Sequence, residues 1–271
     1  MKSVESHGFQ IPIIGLGTWE LRGRECSRLV EQAIRLGYRH IDTAQLYGNE
    51  ADVGQGVLAS GKRAEVMVTT KIAHGSLAPF EAERSVKESL HKLRLDVIDL
   101  LLIHWPNDRV PLAETLGAMA KMKREGYVKQ IGVSNFTVAL LDEASKVTSE
   151  PIVCNQIEYH PFLDQRKVIA ACKKYGIAVV AYSPIARGSA KGDAVLEKIG
   201  AAHGKSAAQV SLRWLIQQDI VVIPRTSKMQ RLEENLAIFD FALSEGEMAE
   251  IAALSQRGKR IVNLAHAPKW D

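Results

Sequence analysis

Four polar residues stand where apolar runs end. Asp42 closes RHID, Tyr47 follows in TAQLYGN, Lys71 closes VMVTTK, and His104 closes VIDLLLIH. If these runs are neighbouring parallel strands, a carboxylate, a phenol, an ammonium and an imidazole meet at one mouth. Adjacent strands lie about 4.8 Å apart, so groups on neighbouring ends can touch. A free tyrosine has a pKa of about 10 and is a poor acid at neutral pH. A nearby ammonium is expected to stabilise its phenolate and lower that pKa, while a carboxylate holds the ammonium charged and in place. An imidazole can orient a substrate oxygen. Such a group would protonate an alkoxide as it forms, or take the proton back. It supplies no hydride, so a cofactor has to bring one. Taken singly, each residue has a plainer reading: Asp42 as a turn cap, His104 as a structural histidine, Lys71 as a lysine needing only a partner. It is the shared position at strand ends that points to chemistry.

The elements that would hold these residues follow a regular alternation. Residues 3–12 read as a hairpin turning at His7-Gly8. Apolar runs then begin near Ile13, Arg39, Val66, Val97, Val128, Ile152, Ala178 and Ile220. Between them lie amphipathic stretches: 25–36, 50–60, 80–93, 112–124, 138–145, 165–175 and 193–203. A second stretch, 206–217, precedes the last run. Strand starts fall roughly 25–30 residues apart for most of the chain, the length of a strand plus a crossover helix, and the last interval is longer because of its second helical stretch. Eight such units predict an α/β fold, a closed (β/α)8 TIM barrel with an N-terminal β-hairpin. A doubly wound open sheet is the alternative, but Gly15-Leu16-Gly17 continues as Thr-Trp-Glu, so no GxGxxG follows the first strand. No low-complexity linker interrupts the chain, which predicts one domain over 1–271.

Composition narrows the partners. The chain has 271 residues, 46% hydrophobic and 24% charged, with a net charge of +4. That surplus is too small to imply nucleic acid and suits an anionic small ligand such as a phosphorylated cofactor. Cys26, Cys154 and Cys172 form no CxxC and are odd in number, which predicts reduced thiols in a cytoplasmic protein. The N-terminus MKSVESHGFQIP carries no apolar signal segment. No apolar run approaches the roughly 18 residues of a membrane span. His7, His74, His91, His203 and His266 show no ligand spacing, and His160 reads as structural, so no metal site is expected.

The chain resembles the aldo-keto reductases over essentially its whole length. The resemblance rests on GLGTW (15–19), HIDTAQLYGNE (40–50), VTTK (68–71), LLLIHWP (100–106), GVSNF (132–136), NQIEYHP (155–161), AYSPIARG (181–188) and IPRTSKMQRLEEN (223–235). Within that family it looks most like the bacterial 2,5-diketo-D-gluconate reductases (B-type), the short tail APKWD included. The resemblance implies a catalytic tetrad of Asp42, Tyr47, Lys71 and His104, with Tyr47 as general acid, Lys71 tuning it, Asp42 pairing Lys71 and His104 orienting a carbonyl. It implies NADPH/NADP+ as cofactor and a small carbonyl compound, such as a keto-sugar acid or methylglyoxal, as substrate. It also implies a monomer.

By motif position, Ser134, Asn135 and Gln156 would hold the nicotinamide carboxamide and Tyr182 would stack on the ring. Ser183, Ile185 and Arg187 would cover the pyrophosphate. Arg225, Thr226, Ser227 and Arg231 would grip the 2′-phosphate, with Glu234 and Asn235 near the adenine. One departure is the family's common IPKS, which reads Ile223-Pro224-Arg225-Thr226 here; arginine keeps the charge and can bind phosphate bidentately. Trp19, Trp105 and Trp270, together with Tyr47 and His104, are expected to wall the substrate pocket. Two rival readings stay open: a Schiff-base aldolase using Lys71, and a cofactor-sensing accessory protein with negligible turnover.

Overall fold

The computed structural model describes residues 2–271. It opens with antiparallel strands β1 (Ser3–Ser6) and β2 (Phe9–Pro12). His7 and Gly8 join them at φ 50° and 79°, the left-handed pair that a tight hairpin requires. Val4, Phe9 and Ile11 of this hairpin pack on the cluster inside the barrel and so close its floor.

Eight parallel strands follow in chain order: β3 (Leu16–Gly17), β4 (His40–Asp42), β5 (Met67–Ile72), β6 (Ile98–Ile103), β7 (Val128–Ser134), β8 (Ile152–Glu158), β9 (Ala178–Tyr182) and β10 (Val221–Val222). The two edges meet through parallel bridges between Ile14 and Val222 and between Gly17 and Arg225. Gly15 N–H donates to the Val222 carbonyl at 2.9 Å and Gly17 N–H to that of Pro224 at 3.1 Å. The result is the expected (β/α)8 barrel. Gly17 makes closure possible, because a Cβ there would sit 2.8 Å from the Ile223 carbonyl oxygen.

The helices are α1 (Gly23–Leu36), α2 (Glu50–Ala59), α3 (Pro79–Leu93), α4 (Leu112–Arg124), α5 (Val138–Val147), α6 (Arg166–Lys174), α7 (Ala194–His203), α8 (Ala207–Ile216), α9 (Met229–Leu236) and α10 (Glu245–Ala253). In α1 the buried positions Cys26, Leu29, Val30, Ala33 and Ile34 recur at helical spacing and face the sheet. Gly37, at φ 111°, ends the helix by donating to the carbonyls of Ala33 and Ile34. The alternation in the sequence does not include α10. Its signal is the capping box between Ser244 and Glu247.

The strands read as unbroken apolar runs because both their faces are buried. Leu101 and Ile103 belong to the large cluster between sheet and helices, whereas Leu100 and Leu102 fill the barrel interior with Met67, Cys154, Val180 and Val221. Side chains alternate along a strand, so the inward parity of β5 runs through Met67 and Thr69 to Lys71. Gly132 belongs to the same interior layer, since a Cβ there would meet Leu102 Cδ2 at 2.7 Å and Cys154 Sγ at 2.9 Å. The inward series of each strand ends at the mouth.

Candidate active site

At the mouth, Asp42 ends β4, Lys71 is the penultimate residue of β5, and His104 directly follows β6. Tyr47 ends a short 3-10 turn (Gln45–Tyr47) after β4. The structure brings all four together. Lys71 Nζ donates to Asp42 Oδ1 at 2.5 Å and to the Thr43 carbonyl at 2.8 Å, and stands 3.5 Å from the Tyr47 hydroxyl. Gln156 Nε2 donates to the other Asp42 oxygen at 2.7 Å. The Tyr47 and His104 rings meet edge to face with centroids 5.6 Å apart.

Tyr47 is held from both sides. Gln45 accepts from the Ala73 N–H at 2.8 Å and donates to Ser85 and Ser89 on α3, tying the turn to the segment after Lys71. Asn49 accepts from Thr43 Oγ1 at 2.7 Å and donates to the carbonyls of Thr18 and Leu21. Both residues lie inside HIDTAQLYGNE. Polar side chains flanking a candidate acid are the signal that marks them.

The electrostatics depart from the sequence expectation in one respect. Burial, with the Asp42 carboxylate added, holds the Tyr47 phenol well above its ordinary range. The expected net acidification by Lys71 is therefore absent, because burial and the Asp42 carboxylate outweigh the ammonium. Tyr47 is a protonated donor at neutral pH. Burial pushes Asp42 up and Lys71 down, and their mutual attraction opposes both shifts. Burial and then the Lys71 charge hold His104 well below the usual histidine range, so its ring is neutral. His104 Nδ1 is buried without a hydrogen-bond partner. A proton there would be an orphaned donor, which favours the tautomer with N–H at Nε2. Beneath this layer His40 donates to or accepts from Thr69 Oγ1 at 3.0 Å, and burial brings it down to about 3.

A cavity of about 500 Å³ opens over these groups, within the range of small-molecule sites. Asp42, Tyr47, His104, Trp19, Trp105, Ser134, Asn135, Gln156, Tyr182, Ser183, Ile185, Arg187, Arg225 and Arg231 all line it. Lys71 lies beneath, fully buried. Thr226, Ser227, Glu234 and Asn235 stand outside the lining: Thr226 Oγ1 accepts from the Lys228 N–H at 3.0 Å, and Asn235 is buried in α9. Trp270 also lies outside but packs on Trp105, ring centroids 6.2 Å apart. Sequence reasoning missed Gly17, Thr18, Glu20, Leu46, Pro184, Gly188, Ile223, Val262 and Leu264 as wall residues, and these complete the wall. Of these, Val262 and Leu264 come from the tail, where no periodic element gave a signal.

Asn135 takes φ 63°, a left-handed conformation that asparagine tolerates well. Its amide donates to the His104 carbonyl at 3.0 Å and to Ser134 Oγ at 3.1 Å, and accepts from the Tyr182 hydroxyl at 2.8 Å. Arg187 stacks on the Trp19 ring at 4.4 Å, and Arg225 Nε donates to the Trp19 carbonyl at 3.1 Å. Arg225, Lys228 and Arg231 have no acidic partner within ion-pair distance among the described residues. They gather at the start of α9, whose N-terminal Lys228 makes no side-chain cap. Unpaired cations beside free helix N–H groups suit a phosphate. The site therefore fits a phosphorylated nicotinamide cofactor.

Comparison with known proteins places this geometry. The aldo/keto reductase family model matches residues 13–256. The chain is 43% identical over 265 residues to the methylglyoxal reductase DkgB of Yersinia pestis, covering 96% of this chain and 99% of that one. The chain belongs to the aldo/keto reductase family. It is thus an oxidoreductase. A solved structure described as a putative 2,5-diketo-D-gluconic acid reductase B shares 46% identity and superposes with a TM-score of 0.98, covering 100% of this chain and 98% of that one. The Bombyx mori aldo-keto reductase solved in complex with NADP is 34% identical, with a TM-score of 0.90 over 97% of this chain and 95% of that one. These likenesses support carbonyl reduction with a nicotinamide cofactor. Among the described residues no cluster of three metal-binding side chains occurs, and no helix is long and apolar enough to cross a membrane.

Proposed function

We propose that this aldo/keto reductase reduces a small polar ketone or aldehyde to the alcohol with NADPH, one barrel domain over 1–271 carrying the whole reaction. The substrate is a keto-sugar acid such as 2,5-diketo-D-gluconate, or methylglyoxal. The observation that carries this reading is the buried Lys71–Asp42 pair set against Tyr47, with neutral His104 beside it at the cavity floor.

Tyr47 is protonated and gives its proton to the carbonyl oxygen as negative charge develops there. Lys71, 3.5 Å from that hydroxyl, then stabilises the phenolate. Asp42 holds Lys71 in place, and Gln156 holds Asp42. His104, with its proton on Nε2, donates to the same carbonyl oxygen and orients it. Two donors aimed at a developing oxyanion form the main electrostatic contribution. When bound, the reduced nicotinamide supplies the hydride.

Ser134, Asn135 and Gln156 would hold its carboxamide, with Tyr182 stacked on the ring. Ser183, Ile185 and Arg187 would cover the pyrophosphate. Arg225, Ser227 and Arg231 would take the 2′-phosphate. Thr226 and Asn235 would shape the loop and helix that present these groups, and Glu234 would stand near the adenine. Trp19, Trp105 and Trp270 would bound the substrate.

Nothing favours the aldolase reading. Lys71 is fully buried, bonded to Asp42 and Thr43, and absent from the cavity wall. The test is NADPH oxidation across a panel of diketogluconates, keto acids, methylglyoxal and aromatic aldehydes. Turnover of at least one small polar carbonyl is expected. NADPH binding with no turnover of any would leave the accessory reading in its place.

A further inference from the structure

Glu158 is the last residue of β8 and shares the inward parity of Gln156, two residues earlier. Its side chain is fully buried. A carboxylate withdrawn from water needs donors. They come from the other end of the chain: Ile261 N–H donates to Oε1 at 2.6 Å and Val262 N–H to Oε2 at 2.8 Å. His160 Nε2, 3.0 Å from Oε1, completes the set. The two oxygens of one carboxylate thus face two successive amides of an otherwise irregular segment. Beyond this grip, Val262 and Leu264 form part of the cavity wall. Arg260 lies 3.7 Å over the Trp270 ring, and Trp270 packs in turn on Trp105 of the same cavity.

We infer that Glu158 is a specificity-determining positioning residue: by accepting the Ile261 and Val262 N–H groups it fixes the C-terminal segment as a wall of the substrate cavity. The inference rests on the carbonyl-reductase reading for its kinetic consequence, but the clamp itself does not. The grip is on backbone, so it sets where Val262 and Leu264 stand without dictating which side chains they carry. Glutamate is required because it offers two acceptor oxygens. Glutamine offers one, and turns an N–H group toward the second amide.

The experiment compares wild type, Glu158→Gln, Ile261→Pro and the double variant as full chains. Amide exchange across 259–264 reads the clamp, KM and kcat with methylglyoxal and a bulkier keto acid read the wall, and NADPH titration controls for the cofactor. Losing a hydrogen bond to a charged group should speed exchange and raise KM by about tenfold in Glu158→Gln. The value of kcat and the NADPH Kd should stay within about twofold, the pattern of lost substrate binding without lost chemistry. Ile261→Pro removes one donor from outside the barrel and should shift KM in the same direction. The double variant should be no worse than the more severe single change, because both remove one interaction. Unchanged exchange and KM in either variant would overturn the inference, as would a fall in kcat at constant KM. If Glu158→Gln does not fold, Ile261→Pro decides alone. If wild type reduces no carbonyl, the functional reading fails, while the exchange data still decide whether Glu158 holds the tail.

Discussion

Tyr47 and His104 show how far residue type predicts chemistry. Their positions are visible in the sequence, His104 closing an apolar run and Tyr47 following one by five residues, and it is the place they share with Asp42 and Lys71 that points to chemistry. Their electrostatic balance is not visible, because it depends on how close Asp42 comes to the phenol and on how deeply the phenol is buried. The structure inverts the expected direction for Tyr47, raised by burial and by Asp42, and sets His104 well below its usual range by burial and by Lys71. The sign follows from these directions. A raised phenol stays protonated up to alkaline pH, and a depressed imidazole stays neutral down to acid pH. The value of kcat/KM for carbonyl reduction should therefore be flat between about pH 6 and 8. An inflection near the ordinary histidine pKa, seen in a pH–rate profile, would contradict the neutral ring. Gln45 and Asn49 are marked in the sequence only as polar neighbours of Tyr47; their roles are not, because their partners, Ala73, Ser85 and Thr18 among them, sit far off in sequence.

Strands and helices were the most legible level, since unbroken apolar runs separated by helical stripes leave little but a parallel barrel. The edges of that pattern were the weak places. β3 and β10 have only two residues each, and their union depends on backbone approach at Gly17 and not on a long ladder. Gly17→Ala should force the Ile223 carbonyl away and cost about 1–3 kcal/mol, read by urea unfolding. It should also weaken NADPH, because Arg225 bridges to Gly17 at the seam. Wild-type stability in this variant would show that the seam is looser than the 2.8 Å approach indicates. The tail escaped the sequence because it forms no periodic element and because Glu158 grips it by backbone N–H groups, which no side-chain pattern announces.

For the whole molecule, the cavity draws on residues at the ends of all the strands but β5 and on the tail, so a ligand there should stabilise the entire fold. NADPH at a hundred times its Kd should add about 2.7 kcal/mol to unfolding free energy. Thermal shift should show a larger gain with NADPH than with NADH at equal concentration, and Arg231→Ala should remove most of that difference. Equal losses for both cofactors would take the phosphate role from Arg231. The central claim, that Tyr47 is the proton donor in a reductase, is tested most directly by kcat of Tyr47→Phe measured alongside its NADPH Kd. The account predicts a fall in kcat of about 10²–10⁴-fold with the Kd nearly unchanged. Turnover close to that of wild type would contradict it.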